Sequence, residues 1–378
     1  MLESQLFRSA VARALGPGNR IAEKLEFRVP SADQMLAHSL AHHGDAAIAL
    51  SQYFNISIQQ YNCFRQIAET AFERPPEKLR ILDFACGYGR LLRFLAAWLP
   101  GQNLLGAEIQ ADALDTNKRL FGIEGHLSCS DPEAFSIDRR FDMIWVASLF
   151  SHLPDRLFRA WLGKLHSLLA PGGVLCFSVR DESQFAGKMP ANGFVYRPES
   201  EQIPIDASIY GTAWASERYV RTTIESSVSG SVDCERIPRA LAMEQDLYLL
   251  HERDRQPPVR IDRFRRGPWG WVDRIRRSRD GRIGIEGWAG SMDEAELDRV
   301  EVRLDGNLEC ILPGIPRPDV VEAFGDPTLA RSGFAFDAQL SNPAAAGFVE
   351  VFAVGGHDDA ETALLFAGPT TNHGNGHQ

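Results

Sequence analysis

The sequence predicts an α/β fold: a parallel sheet covered by helices on both faces, with helices before it and an antiparallel β-sandwich after it. Three observations predict this. Between Lys78 and Glu252, short apolar runs alternate with amphipathic stretches, the pattern of β-α units. Before Pro76, apolar residues recur at helical spacing. After Pro257-Pro258 the helical pattern fades, and short strand-like runs are joined by Asp280-Gly281 and Asp305-Gly306, pairs that favour tight hairpin turns.

In residues 1–76, an N-terminal helical segment expected to cap the catalytic domain, Leu6, Phe7, Val11 and Leu15 mark one helix, broken by Gly16-Pro17-Gly18. A second helix is predicted over 44–72. Residues 77–255 form the ligand-binding domain, with strands at 79–84, 103–109, 125–129, 141–148, 174–179 and 246–250. Helices are expected there at 90–99, 111–121, 154–169 and 216–225. Residues 256–270 read as a linker. Residues 271–367 read as a β-sandwich accessory domain, with strands at 271–278, 281–288, 300–304, 333–340 and 348–354. Residues 368–378 are polar and are expected to be a disordered tail.

Bulk properties narrow the function. The formal net charge is −10 and the pI about 5.5, which argues against nonspecific nucleic-acid binding. No apolar run reaches the length of about 18 residues that a membrane span needs. The N-terminus lacks a signal-peptide core, so a cytoplasmic protein is expected. None of the six cysteines pairs at zinc-ligand spacing; they read as buried free thiols in a reducing compartment. With no His/Asp/Glu cluster evident, no metal is expected.

The chemistry begins at Asp83-Phe84-Ala85-Cys86-Gly87-Tyr88-Gly89. An apolar strand ends in a carboxylate, turns through glycines and enters a helix, and loops at the carboxyl ends of strands are where open α/β sheets bind ligands. Asp83 suits a charged amino group. Glu108, at the end of the next strand, can accept hydrogen bonds from two ribose hydroxyls. Asp131, followed by Pro132, can accept from an adenine amino group. Ser148 and Leu149, after the fourth strand, line the same end of the sheet, and His152 follows. Tight turns, solvated acids and a packed or helix-capping histidine are the competing structural readings.

Taken together, ILDFACGYGR, GAEIQ, FDMIWVASLFSHLPD and LLAPGGVLCFSV resemble a class I S-adenosylmethionine-dependent methyltransferase over residues 78–179. The resemblance implies a Rossmann-like seven-stranded sheet whose last strand is antiparallel. It implies S-adenosyl-L-methionine as cofactor, held by Asp83, Ala85, Cys86, Gly87, Gly89, Arg90, Glu108, Ile109, Asp131, Pro132, Ser148 and Leu149. The chain departs from the family at Ala85, where glycine is usual. The motifs, with YGTAWASERYV at 210–220, are similar to bacterial methyltransferases of surface-glycan clusters. Residues 287–289, 317–320 and 333–334 (GWA, RPDV and GF) resemble β-rich modules attached to glycan-modifying enzymes.

Methyl transfer from a sulfonium is an in-line displacement in which positioning supplies much of the acceleration. A hydroxyl acceptor gains from a general base, and His152 is the candidate because imidazole titrates near neutral pH. Tyr53, Tyr61, Arg180 and Asp181 are candidates for the acceptor pocket. Trp269, Trp271 and Trp288 read as core residues or sugar-stacking faces, and the basic stretch 260–282 as a glycan-docking surface or a solvated strand. The leading expectation is O-methylation of a saccharide or glycan intermediate. Small-metabolite methylation and a non-catalytic nucleotide-binding scaffold are the alternatives. The expected partner is a small-molecule or glycan acceptor, without nucleic acid, and a homodimer is left open.

Overall fold

The strands β1 (Ile81–Phe84), β2 (Leu104–Glu108) and β4 (Phe141–Val146) are buried along their whole length, as near-continuous apolar runs must be in a sheet covered on both faces. The computed structural model describes residues 4–16, 19–199, 206–253, 263–278, 280–291, 293, 297–340, 347–356 and 361–370. Its contacts divide the chain into two units, Gln60–Phe264 and the pair Met1–Gln59 with Arg265–Gln378. Residues 1–59, read from the sequence as part of a catalytic cap, thus make their compact unit with the C-terminal region. The boundary falls inside helix α4 (Ala46–Thr70).

In the unit Gln60–Phe264, β3 (Glu124–Leu127), β5 (Leu169–Arg180), β8 (Val232–Leu241) and β9 (Gln245–Glu252) complete a seven-stranded sheet of order β3-β2-β1-β4-β5-β9-β8. The first five strands are mutually parallel. Strand β9 is antiparallel to both its neighbours. Helices α5 (Leu92–Trp98), α6 (Ala111–Phe121), α7 (Asp155–Ser167) and α8 (Glu217–Ser227) lie within the crossovers. α7 buries Leu157, Phe158, Trp161, Leu162 and Leu165, the i, i+3/i+4 stripe of a core-facing helix. Its partner α8 starts at a Ser216 cap, whose hydroxyl accepts from the Tyr219 N–H. A short hairpin, β6 (Phe194–Arg197) with β7 (Thr212–Ala215), precedes α8; neither it nor β8 was expected from the sequence.

At the amino ends of β1 and β4, Asp142 is fully buried and accepts hydrogen bonds from the Arg80 backbone N–H, Nε and Nη2. Arg74 adds a further ion pair. Burial opposes the Asp142 charge, yet the Arg80 hydrogen bonds outweigh it and hold the carboxyl below its ordinary range.

In the other unit, α1 (Gln5–Ala14) buries Phe7, Ala10, Val11 and Ala14, and Phe7, Phe27 and Phe54 form an aromatic cluster. Asp33 caps α3 (Gln34–His43) and accepts from the Tyr53 hydroxyl at 2.7 Å. Two antiparallel sheets follow. One is β10 (Pro268–Arg277), β11 (Arg282–Ser291) and β14 (Gly333–Gln339). The other is β13 (Asn307–Ile311), β12 (Leu297–Leu304), β15 (Phe348–Gly355) and β16 (Thr362–Pro369). Val272, Ile283, Ile285 and Phe334 from the first share one core with Val300, Val302, Val351 and Leu365 from the second. Asp305 and Gly306 both hold positive φ, as the two-residue hairpin between β12 and β13 requires.

Several expectations change here. Gly368 and Pro369, assigned to the tail, complete β16; residues 371–378 lie outside the described residues, as does 254–262 of the linker region. Trp269 and Trp288 are 1% exposed, so they are core rather than sugar-stacking faces. Within the basic stretch Arg266 pairs with Asp293, Arg276 with Glu286 and Arg282 with Asp337. Cys310 is exposed, unlike buried Cys63, Cys86 and Cys176.

Helices α7 and α8 approach so closely that a Cβ on Gly163 would lie 2.5 Å from the Ser227 carbonyl oxygen. Gly163→Ala must therefore push backbone apart, at a cost of about 1–3 kcal/mol. Thermal melting of the variant is expected to show a lowered midpoint; an unchanged one would contradict this packing.

Candidate active site

The loop from Ala85 to Gly89 leaves β1 at the carboxyl edge of the sheet and is fastened on three sides. The Cys86 N–H donates to the Ala107 carbonyl at 3.2 Å, and the Gly87 N–H to Glu108 Oε2 at 2.9 Å. Asn117, on α6, donates through Nδ2 to the Gly87 carbonyl at 2.9 Å, and the Tyr88 hydroxyl donates to Asp112. A Cβ on Gly89 would lie 2.5 Å from both Asn117 Oδ1 and the Phe121 ring, and its φ is +79°. Two requirements thus fix glycine at 89. Ala85 holds φ +59°, the left-handed region that costs a residue with a Cβ about 1–2 kcal/mol. The departure from glycine at 85 is tolerated, but with strain.

Beneath the loop lie two buried carboxylates. Asp83 is 4% exposed and Glu108 5%. Burial, then the Glu108 charge, pushes the Asp83 carboxyl up to about 8, and no hydrogen bond among the described residues offsets either. Glu108 is also raised, by burial, against hydrogen bonds from the Gly87, Gln110 and Ile109 N–H groups. Burial raises the Cys86 thiol as well, which marks a packed, inert cysteine. Such a pair is electrostatically unfinished. A cation at Asp83 would complete it, which fits the methionine ammonium of the methyl donor.

The remaining candidates fall into two sets. Ile109, 41% exposed, stands at the end of β2 as an uncovered apolar side chain beside the Glu108 turn. Arg90 is half-buried where the loop ends, Pro132 is buried, and Asp131 is exposed with its carboxylate accepting from the Glu133 N–H. Ser148 and Leu149 follow β4, and Ser148 holds φ +64°. His152 Nδ1 lies 2.7 Å from the Gly211 carbonyl oxygen. A carbonyl only accepts, so Nδ1 carries a proton, which in the neutral ring makes Nε2 the acceptor nitrogen. The ring stacks on Tyr210 at 4.6 Å.

The acceptor-pocket candidates have different surroundings. Tyr53 is buried in the unit Met1–Gln59 with Arg265–Gln378, bonded to Asp33. Tyr61 is 1% exposed, packed between Phe94 and Trp98; both rings serve as core. Asp181 accepts from Arg236, which also binds Glu217 and Asp246. Arg180 is half-buried at the end of β5, opposite Gln245 of β9. Among the described residues no group of three His, Cys, Asp or Glu could hold a metal, and no described helix is long and apolar enough to cross a membrane.

Residues 82–175 match the family model described as a methyltransferase domain. The chain is 29% identical over 170 residues to demethylmenaquinone methyltransferase of Thermus thermophilus, covering 43% of this chain and 72% of that protein. It is 35% identical over 104 residues to nodulation protein S of Rhizobium tropici, covering 26% and 43%. It is 29% identical over 119 residues to trans-aconitate 2-methyltransferase of Methylobacterium radiotolerans, covering 31% and 44%. The chain spans less than half the length of the last two. The loop, its carboxylates and these strands define a methyltransferase domain. The chain that carries it is an S-adenosylmethionine-dependent methyltransferase.

Two predictions follow from the loop. Ala85→Gly relieves about 1–2 kcal/mol of left-handed strain against about 0.4–1 kcal/mol of added unfolded-chain entropy. A small rise in melting temperature is expected, whereas Gly89→Ala lowers it and weakens donor binding in calorimetry. The second concerns pH. Between about 4 and 8 the folded chain keeps a proton on Asp83 that the unfolded chain has released, so this residue's contribution to stability falls as pH rises through that window. An ammonium ligand needs the carboxylate. The melting shift produced by S-adenosylmethionine is therefore expected to grow from pH 6 to 8.5, and Asp83→Asn to flatten that growth.

Proposed function

We propose that the chain methylates an oxygen of a saccharide or glycan intermediate, with His152 as general base and residues 77–255 as the catalytic domain. The observation that carries this reading is the Nδ1 hydrogen bond to Gly211, which selects the tautomer whose Nε2 can take a proton. The donor supplies an activated methyl on a sulfonium. The acceptor oxygen forms a bond to that methyl carbon as the carbon–sulfur bond breaks, the electron pair leaving on a neutral thioether. The acceptor's proton passes to Nε2. Tyr210 stacks on His152, and the half-buried Tyr196 and Trp214 of the β6–β7 hairpin are further aromatic side chains of the kind that pack on sugar rings.

The names of two relatives favour a second reading. Demethylmenaquinone and trans-aconitate methyltransferases point to a small-metabolite acceptor. Transfer of labelled methyl to a panel of nucleotide sugars and surface-glycan fragments, beside quinols and small carboxylic acids, separates the two. Labelling confined to the latter panel would overturn the saccharide assignment. With the accepted substrate, His152→Ala is expected to lower kcat about 10²–10⁴-fold while donor affinity is retained; near-normal turnover removes His152 from the base role.

A further inference from the structure

The segment between β4 and α7 carries His152, yet its first turn is one that serine disfavours. Ser148 sits in the left-handed region at φ +64°. A ring of hydrogen bonds surrounds it. The Ser148 N–H donates to Ser178 Oγ at 2.7 Å, and Ser178 Oγ donates to Gln245 Oε1 at 2.6 Å. Gln245 Nε2 closes the ring on Ser148 Oγ at 3.0 Å. Just beyond, the buried Ser151 hydroxyl donates to the Ser148 carbonyl at 2.6 Å. Ser178 is fully buried and Gln245 is 8% exposed, so little water competes for these bonds.

We infer that Gln245 is a positioning residue for methyl transfer, holding the 147–152 loop in the strained turn that presents His152. Topology makes this assignment available to few positions. The parallel strands bring only their carboxyl ends to this edge. β9 is antiparallel and pairs Gln245 with Arg180 at the far end of β5, so it delivers a strand-opening side chain there. The amide offers an acceptor to Ser178 and a donor to Ser148 at once, which neither a carboxylate nor an apolar side chain can do. The inference rests on the reading of His152 as the base.

The test reads the loop without an acceptor. Hydrogen exchange of the 147–152 segment and ¹⁵N-histidine spectra are recorded for Gln245→Leu, with S-adenosylhomocysteine affinity by calorimetry. Exchange of the loop is expected to rise about tenfold or more with β1 and β4 still protected. The His152 signals are expected to move from the Nδ1–H tautomer toward a mixture, and ligand affinity to fall about tenfold. Adding Ser148→Gly is expected to reverse these changes, because glycine takes the turn unaided. Wild-type exchange in Gln245→Leu, or no recovery with Ser148→Gly, overturns the proposal. Ser178→Ala opens the same ring from β5 and is expected to reproduce the effect, which covers the case that Gln245→Leu does not fold. Normal turnover in His152→Ala would remove the base while leaving the loop measurements to stand or fall separately.

Discussion

The Glu108 carboxylate is the joint on which the site depends. It closes the end of β2 by accepting from Ile109 and Gln110, and it reaches back to accept from Gly87 in the loop after β1. One acid thereby sets the spacing between two loops that come from different strands. Its removal would take the shared acceptor from three backbone N–H groups at once. Burial raises Asp83, and the same Glu108 charge adds to that rise. Structural support and ligand preference thus come from a single group: what fastens the loop also leaves its neighbour in want of a cation.

The antiparallel β9 has a comparable double effect on the other side of the sheet. It covers β5, and it brings Gln245 and Asp246 to the carboxyl edge. Asp246, raised by burial, faces Arg236, and that arginine gathers Asp181 and Glu217 as well. The loop after β5 is therefore tied to β8, β9 and α8 by one guanidinium. This is why Asp181 serves the scaffold.

Much of this was legible in the chain. Wherever an apolar run is buried on both faces, as in 141–146, or a helix has a clean stripe, as in 111–121, the periodicity locates the element. Strand β8 escaped because VDCERIPRAL mixes charges and a proline with few fully buried positions. β13 escaped because it is an exposed edge. The glycine loop, Glu108 and His152 announce themselves through short-range patterns. Tyr53 and Tyr61 do not differ in sequence from pocket residues; only their partners, Asp33 and Phe94 with Trp98, reveal core packing. Gln245 has no local signal at all, since its partner Ser148 lies 97 positions away, and only the strand order brings them together.

The unit assembled from Met1–Gln59 and Arg265–Gln378 has an implication for how the chain is made. Ser51 exchanges hydrogen bonds with the Ala367 backbone across 316 positions, and α1 packs on β15 and β16. As the polypeptide leaves the ribosome, α1 emerges long before β15 and β16, the strands on which it packs, have been translated. At about 5–20 residues per second, that interval lasts some tens of seconds. The intervening sheet can form meanwhile, and Phe7 can already meet Phe27 and Phe54, but the side of α1 that packs on β15 and β16 must wait for those strands to arrive.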